Sequence, residues 1–189
     1  DRRCPNASID DLKLPLIREY LKEIGSNLAD AENLPFLDLC RQMNIVDGGD
    51  EFVKPRNVGI LFFNDEPKKF LPGAQIDVVI FPKGPGGGEL IEKTFQGPIH
   101  EQVRSALRYI QNEVIREKVI KQKDKPEAIR LFNYPFPAIE EALVNAVYHR
   151  SYEQPEPVEV RVNPDRMEIV SYPGPDASIR IEALNGERI

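Results

Sequence analysis

The sequence predicts an α+β fold of mixed helices and antiparallel sheet. Three observations predict it. Apolar residues recur at helical spacing in three separated stretches, around Leu16–Ile24, Ile99–Ile110 and Phe136–Arg150. Short β-rich runs come in pairs, each separated by turn-forming residues, at Ala74–Phe81 with Leu90–Phe95 and at Val158–Val162 with Met167–Val170. Of the 189 residues, 41% are hydrophobic and 30% charged, a balance that supports a packed core and excludes a disordered chain.

Taken in order, Leu16, Ile17, Tyr20, Leu21 and Ile24 mark a first helix that Gly25 stops. A second helix is expected over Pro35–Met43. Residues Ile45–Val53 read as a short hairpin turning at Asp47-Gly48. Arg56–Asn64 is apolar on most sides and reads as a short buried helix. Pro67–Phe70 adds a turn. Between the strands at 74–81 and 90–95 lies Gly84-Pro85-Gly86-Gly87-Gly88. A phosphate-binding loop needs Gly-Lys-Ser/Thr leading into a helix, and Glu89-Leu90-Ile91 follows instead, so this is a hairpin loop.

A long amphipathic helix then spans Pro98–Asn112, with Ile99, Val103, Leu107 and Ile110 as its apolar stripe. Val114–Ile120 and Ala128–Phe132 read as strands joined by a basic tip. The stretch 116–125 carries Arg116, Lys118, Lys121, Lys123 and Lys125 against Glu117 and Asp124. It reads as a solvated hairpin tip, the alternative being a nucleic-acid contact arm. The helix from Phe136 to Arg150 starts with Pro137 in its first turn, where a missing N–H costs little. The second hairpin turns at Asn163-Pro164-Asp165, and a final short helix is expected at Ser178–Leu184.

Composition limits function. A net charge of −6 opposes sequence-independent binding of nucleic acid. No apolar run reaches membrane-spanning length. Two distant cysteines, Cys4 and Cys40, make neither a disulfide framework nor a four-ligand zinc site, which favours a reducing, cytoplasmic setting. The first residue is Asp rather than Met, which suggests a piece of a longer protein.

The segment richest in chemistry is PAIEEALVNAVYHRSY, residues 137–152. Glu141 and Asn145 lie one helical turn apart on one face, and Tyr148, His149 and Tyr152 are expected to continue that polar stripe. Ile139, Ala142, Leu143, Ala146 and Val147 are expected to face a core. An Asn oxygen suits a magnesium shell, and a Glu can orient or deprotonate an attacking water. The spacing alone is weak, and the plain alternative is a surface Glu and Asn on an ordinary helix. His100 and His149 read as structural rather than catalytic.

EALVNAVYHR resembles the N box of the GHKL (Bergerat-fold) ATPases, the superfamily of gyrase, MutL and the histidine kinases. Nearly the whole chain resembles a family of bacterial transcriptional regulators, often labelled RecG-related ATP-dependent DNA helicases. These join a Schlafen-like AlbA-type domain to a divergent GHKL domain and a winged helix. CPNASIDDL resembles the end of the AlbA-type domain, PRNVGILFFNDEPKKFLPGAQI the region that follows, and PAIEEALVNAVYHRSY with VEVRVNPDRMEIVSYPGP the start of the ATPase domain. The resemblance implies a tail of a preceding domain over 1–25, a linking α+β region over 26–125 and the first half of a GHKL-type sandwich over 126–189. It also implies Glu141 as the catalytic acid/base residue, Asn145 as magnesium ligand, and Asn145, His149 and Gly174 at the nucleotide, with ATP and magnesium as cofactors of the longer protein.

The chain departs from the superfamily after Met167–Val170, where Ser171-Tyr172-Pro173-Gly174 stands in place of a DxGxG box. The expected function is nucleotide sensing in a regulator whose neighbouring domains bind nucleic acid. The alternative is a nucleotide-independent scaffold or homodimerisation module. A helicase is disfavoured because there is no Walker A sequence, and residues 1–189 by themselves are expected to be inactive as an ATPase and to need no cofactor.

Overall fold

A computed structural model describes residues 2–31, 33–121 and 128–174, with the side chains of 119–121 and 128–129 outside that description. The fold is α+β. Three helices open the chain: α1 (Leu14–Glu23), α2 (Phe36–Gln42) and α3 (Asn57–Phe63). Pro15 sits in the first turn of α1, and Gly25 ends the helix with φ 65°, a left-handed conformation that glycine adopts without penalty. Between α2 and α3, β1 (Val46–Asp47) pairs with β2 (Lys54–Pro55). The connection is not the tight Asp-Gly turn expected. A 3-10 turn at Asp50–Phe52 lengthens it, and Gly48, at φ 105°, lets the chain pass against the Phe52 carbonyl, where a Cβ would collide.

The helices close on a core of Cys4, Leu12, Ile17, Leu21, Leu39, Cys40 and Ile60. Gly59 lets α3 approach Ile45 and Leu12, which any side chain would push away. Both cysteines are buried free thiols, and burial raises the Cys40 pKa to about 11, so it stays protonated and unreactive.

The second half is built on a four-stranded sheet in the order β4-β3-β7-β8: β3 (Ile76–Ile80), β4 (Ile91–Phe95), β7 (Val158–Val162) and β8 (Met167–Val170). Both expected hairpins form, β3 with β4 and β7 with β8. What joins them is a parallel pairing of β3 with β7, Ile76 opposite Val158 through Ile80 opposite Val162. The sheet is therefore mixed, and the strands after residue 126 share it with strands from the middle of the chain. Val158, Val160 and Val162 point into the core while Glu159 and Arg161 alternate outward and pair with each other. The helices α4 (Ile99–Glu113) and α5 (Phe136–His149) pack on this sheet, burying Ala106, Leu107, Ile110, Ile139 and Leu143. Val147 of α5 touches both cores. A separate two-stranded ribbon, β5 (Glu117–Lys121) with β6 (Ala128–Phe132), is the expected basic hairpin. Its tip, with Lys123 and Lys125, and the expected helix at Ser178–Leu184 lie outside the described residues.

Two buried polar side chains fasten these parts. Gln102, which interrupts the expected apolar stripe of α4 and is 1% exposed, donates to the carbonyls of Ala74 at 3.1 Å and Gly97 at 2.6 Å. It thereby holds the chain entering β3. Arg150, at the end of α5 and 6% exposed, donates from Nη1 to Gly73 O at 2.7 Å. Its Nη2 donates to Glu156 O at 2.5 Å, with weaker bonds to Gln154 O and Ser151 O. The guanidinium also lies 4.7 Å above the Tyr152 ring. One side chain thus ties the segment before β3 to the loop before β7, the two strands that pair in parallel. A Cβ at Gly73 would meet the guanidinium and Gln154 O.

Removing the donors strands buried carbonyls, each worth about 1–3 kcal/mol. Arg150→Met and Gly73→Ala should each lower unfolding free energy by about 2–4 kcal/mol in denaturant titrations. Because both break the same clamp, the double variant should lose clearly less than the sum. Additive losses would show that the two positions act independently.

Candidate functional site

The helix α5 divides its surface into three arcs. Ile139, Leu143 and Ala146 turn to the sheet core. Val144, Val147 and Tyr148 turn toward α3 and α4. Glu141 and Asn145 lie about 40° apart on the remaining open arc, because four residues advance slightly more than one turn. Both are exposed, and neither has a hydrogen-bond or ion-pair partner among the described residues. The structure therefore brings Glu141 and Asn145 together as a free ledge, as the spacing predicts.

The rest of the expected stripe divides. Tyr148 is 79% exposed and stands at the border of the ledge. His149 is exposed at the helix end, its ring edge-on to Tyr148 at 4.9 Å, and it is the basic residue of the last turn. Tyr152 does not continue the stripe. The chain leaves helical geometry at Arg150, and Tyr152 folds back so that its hydroxyl donates to Val147 O at 3.0 Å. Burial drives the Tyr152 phenol up to about 12, partly offset by the Arg150 cation. Ala142 is also a correction: it is exposed rather than packed, since it lies beyond the arc that meets the sheet.

Gly174 is exposed in the segment that follows β8. Two residues before it, Tyr172 O accepts from Ser151 N at 2.9 Å, which ties that exit to the end of α5. Gly174 thus lies in a segment fastened to the His149 end of the helix, and no described contact joins it to Asn145. Among the described residues no group of three or more His, Cys, Asp or Glu side chains could hold a metal. A magnesium ion at Asn145 would need its other oxygens from phosphate and water, which is that ion's usual habit.

A cleft of about 990 Å3 opens between α3, α4 and α5, beside the ledge. Sequence reasoning missed it, since its walls come from three separated helices. His100 lies at its edge, stacked on Phe62 with centroids 5.4 Å apart and edge-on to Tyr20 at 5.7 Å. Burial pushes the His100 pKa down, so the imidazole is held neutral as a packing group. Its Nδ1 is buried without a hydrogen-bond partner among the described residues. In the ribbon, Arg130 pairs with Glu117 at 2.9 Å, and Arg116 caps the carbonyls of Asn112 and Glu113. Two of its cations are therefore engaged within the chain. Among the described residues no helix is long and apolar enough to cross a membrane.

These environments separate in stability. Glu141→Gln and Asn145→Ala should change unfolding free energy by no more than about 0.5 kcal/mol, as for free surface groups. Tyr152 differs. Its folded pKa is raised above the ordinary value near 10, so its contribution is complete below about pH 10 and is lost as pH rises toward about 12. Stability measured across that window should fall, and Tyr152→Phe should remove a part of the fall on the order of 2 kcal/mol. Identical alkaline profiles for the two proteins would contradict this environment for the phenol.

No family model matches the sequence, and no curated protein matches it. Among solved structures the chain is similar to the DIP2311 protein from Corynebacterium diphtheriae, a structural-genomics target, with 23% identity and a TM-score of 0.61. The match covers 92% of this chain and 33% of that one, so the chain spans about a third of that protein's length. At this identity the likeness is one of fold.

Proposed function

We propose that this chain is the nucleotide-responsive part of a bacterial transcriptional regulator, with Glu141 and Asn145 at the entrance of a divergent GHKL-type ATP site. The observation that carries the reading is the free ledge. An Asn and a Glu stand one turn apart on the open arc of α5, unused by the fold, while the opposite arc of the same helix is fully committed to the core. In this reading Asn145 offers its amide oxygen to magnesium, and Glu141 orients a water near the γ-phosphate. The ion, when bound, would neutralise phosphate charge. His149 and Gly174 flank the nucleotide from the helix end and the segment after β8. The remaining wall, and the domains that contact nucleic acid, belong to other parts of the longer protein.

A second reading is favoured by one specific observation. The exit of β8, where the superfamily places an adenine-binding Asp, here uses Tyr172 O to cap Ser151 N. A position committed to holding the helix end suits a scaffold or a homodimerisation module that binds no nucleotide. The two readings separate in the longer protein. A ligand that binds only the folded state stabilises it by RT ln(1 + [L]/Kd). ATP with magnesium, at about a hundred times Kd, should add roughly 2.7 kcal/mol and raise the melting temperature. Asn145→Ala should remove most of that shift while leaving the ligand-free melting temperature unchanged. No shift in either protein would discard the sensor and leave the scaffold.

A further inference from the structure

The cleft between α3, α4 and α5 is distinct from the ledge, because neither Glu141 nor Asn145 lines it. Its volume, about 990 Å3, is of the size that encloses small organic ligands. Its walls are aliphatic and aromatic, with Leu61 and Phe62 from α3, Val103 from α4, and Val144 and Tyr148 from α5. Val144 is 45% exposed and Tyr148 79%, which leaves apolar surface open to water on one side of the cleft.

Of the arginines on the lining, only Arg150 lacks a carboxylate partner among the described residues. Arg2, Arg104 and Arg150 stand against a single lining carboxylate, Glu153, in a chain of net charge −6. At the rim, Arg2 pairs with Glu153 at 2.5 Å, and Arg104 pairs with Glu23 and Glu101. Such exposed pairs are weak and exchange readily. Arg150 is different. It is 6% exposed, its Nη atoms are satisfied by carbonyl oxygens, its Nε has no partner, and no carboxylate pairs with it among the described residues. Carbonyl dipoles satisfy N–H groups without cancelling the charge. A full positive charge in a poorly solvated wall projects into the adjoining space. The negative charge of Glu156 reaches it without forming an ion pair.

We propose that this cleft is a binding site for a compact ligand with a planar apolar body and one anionic group. The body lies against Phe62, Val103, Val144 and Tyr148, and the anion faces the guanidinium side. This does not depend on the nucleotide reading, since Asn145 and Glu141 take no part in it.

The test uses 1-anilinonaphthalene-8-sulfonate, an aromatic monoanion whose fluorescence rises in apolar sites, with the whole 189-residue chain. Saturable binding of about one molecule per chain is expected. Val144 is partly exposed, so polar substitutions there are compatible with folding. Val144→Glu should weaken binding about tenfold, near 1.4 kcal/mol, whereas the uncharged Val144→Gln should stay within about threefold. N-phenyl-1-naphthylamine, which lacks the sulfonate, should bind clearly less tightly. Asn145→Ala should leave the dye affinity unchanged.

Absence of saturable binding overturns the proposal. So does equal affinity of the neutral dye, or equal weakening by Glu and Gln, which would make the cleft merely apolar. Displacement of the dye by ATP with magnesium, together with weakening by Asn145→Ala, would assign the cleft to the nucleotide site instead. A dimer on light scattering that Val144→Glu converts to monomer would show that a second copy of the chain occupies it.

Discussion

The Arg150 guanidinium is the point on which the fold turns. Its carbonyl acceptors belong to the segment before β3 and the loop before β7, and those strands then run side by side in parallel. A parallel pair cannot be closed by a short turn, so contacts outside the ladder help to bring its two approaches together. Arg150 does this with a planar fork of donors, which suits several carbonyls at once in a way an ammonium would not. Gly73 is part of the same device, since the guanidinium occupies the space where its side chain would stand. Burial lowers the Arg150 pKa, yet its ordinary value is so high that the group stays charged.

That clamp also decides what α5 can present. The helix ends at Arg150, and the chain reverses so that Tyr152 packs beneath Val147. The core arc, the cleft arc and the ledge arc are thereby held in fixed directions. Glu141 and Asn145 are free because the fold has no need of them, whereas Tyr152, which a periodic pattern places on the same stripe, is drawn into the structure. The cleft and the ledge share Tyr148 as their border, so they are neighbours on one helix without sharing their principal residues.

Much of the local structure was legible in the sequence because it depends on local rules. Gly25 needs a left-handed conformation, Pro137 fits a first turn, and the Val158, Val160, Val162 alternation allows one face only. The pairing of Glu141 with Asn145 on one arc is helical arithmetic. Less legible were the breaks in a pattern. Gln102 sits where a stripe reads as apolar, and the clue was a polar residue at a core position of α4. Ala142 is small and apolar enough to be assigned to either side. The lengthened loop between β1 and β2 answers to its packing against Gly48 rather than to the Asp-Gly signal.

By itself the sequence determined the α+β class, the order of helices and hairpins, and the juxtaposition of Glu141 with Asn145, since period and turn chemistry act within a few residues. The tertiary structure alone decided that the two hairpins merge into one mixed sheet, that Arg150 is a buried clamp, and that three helices enclose a cleft. Each of these joins residues far apart in the chain, such as Gly73 with Arg150 or Phe62 with Tyr148. Their meeting depends on how apolar faces and buried donors are satisfied together, and no single stretch of sequence carries that information.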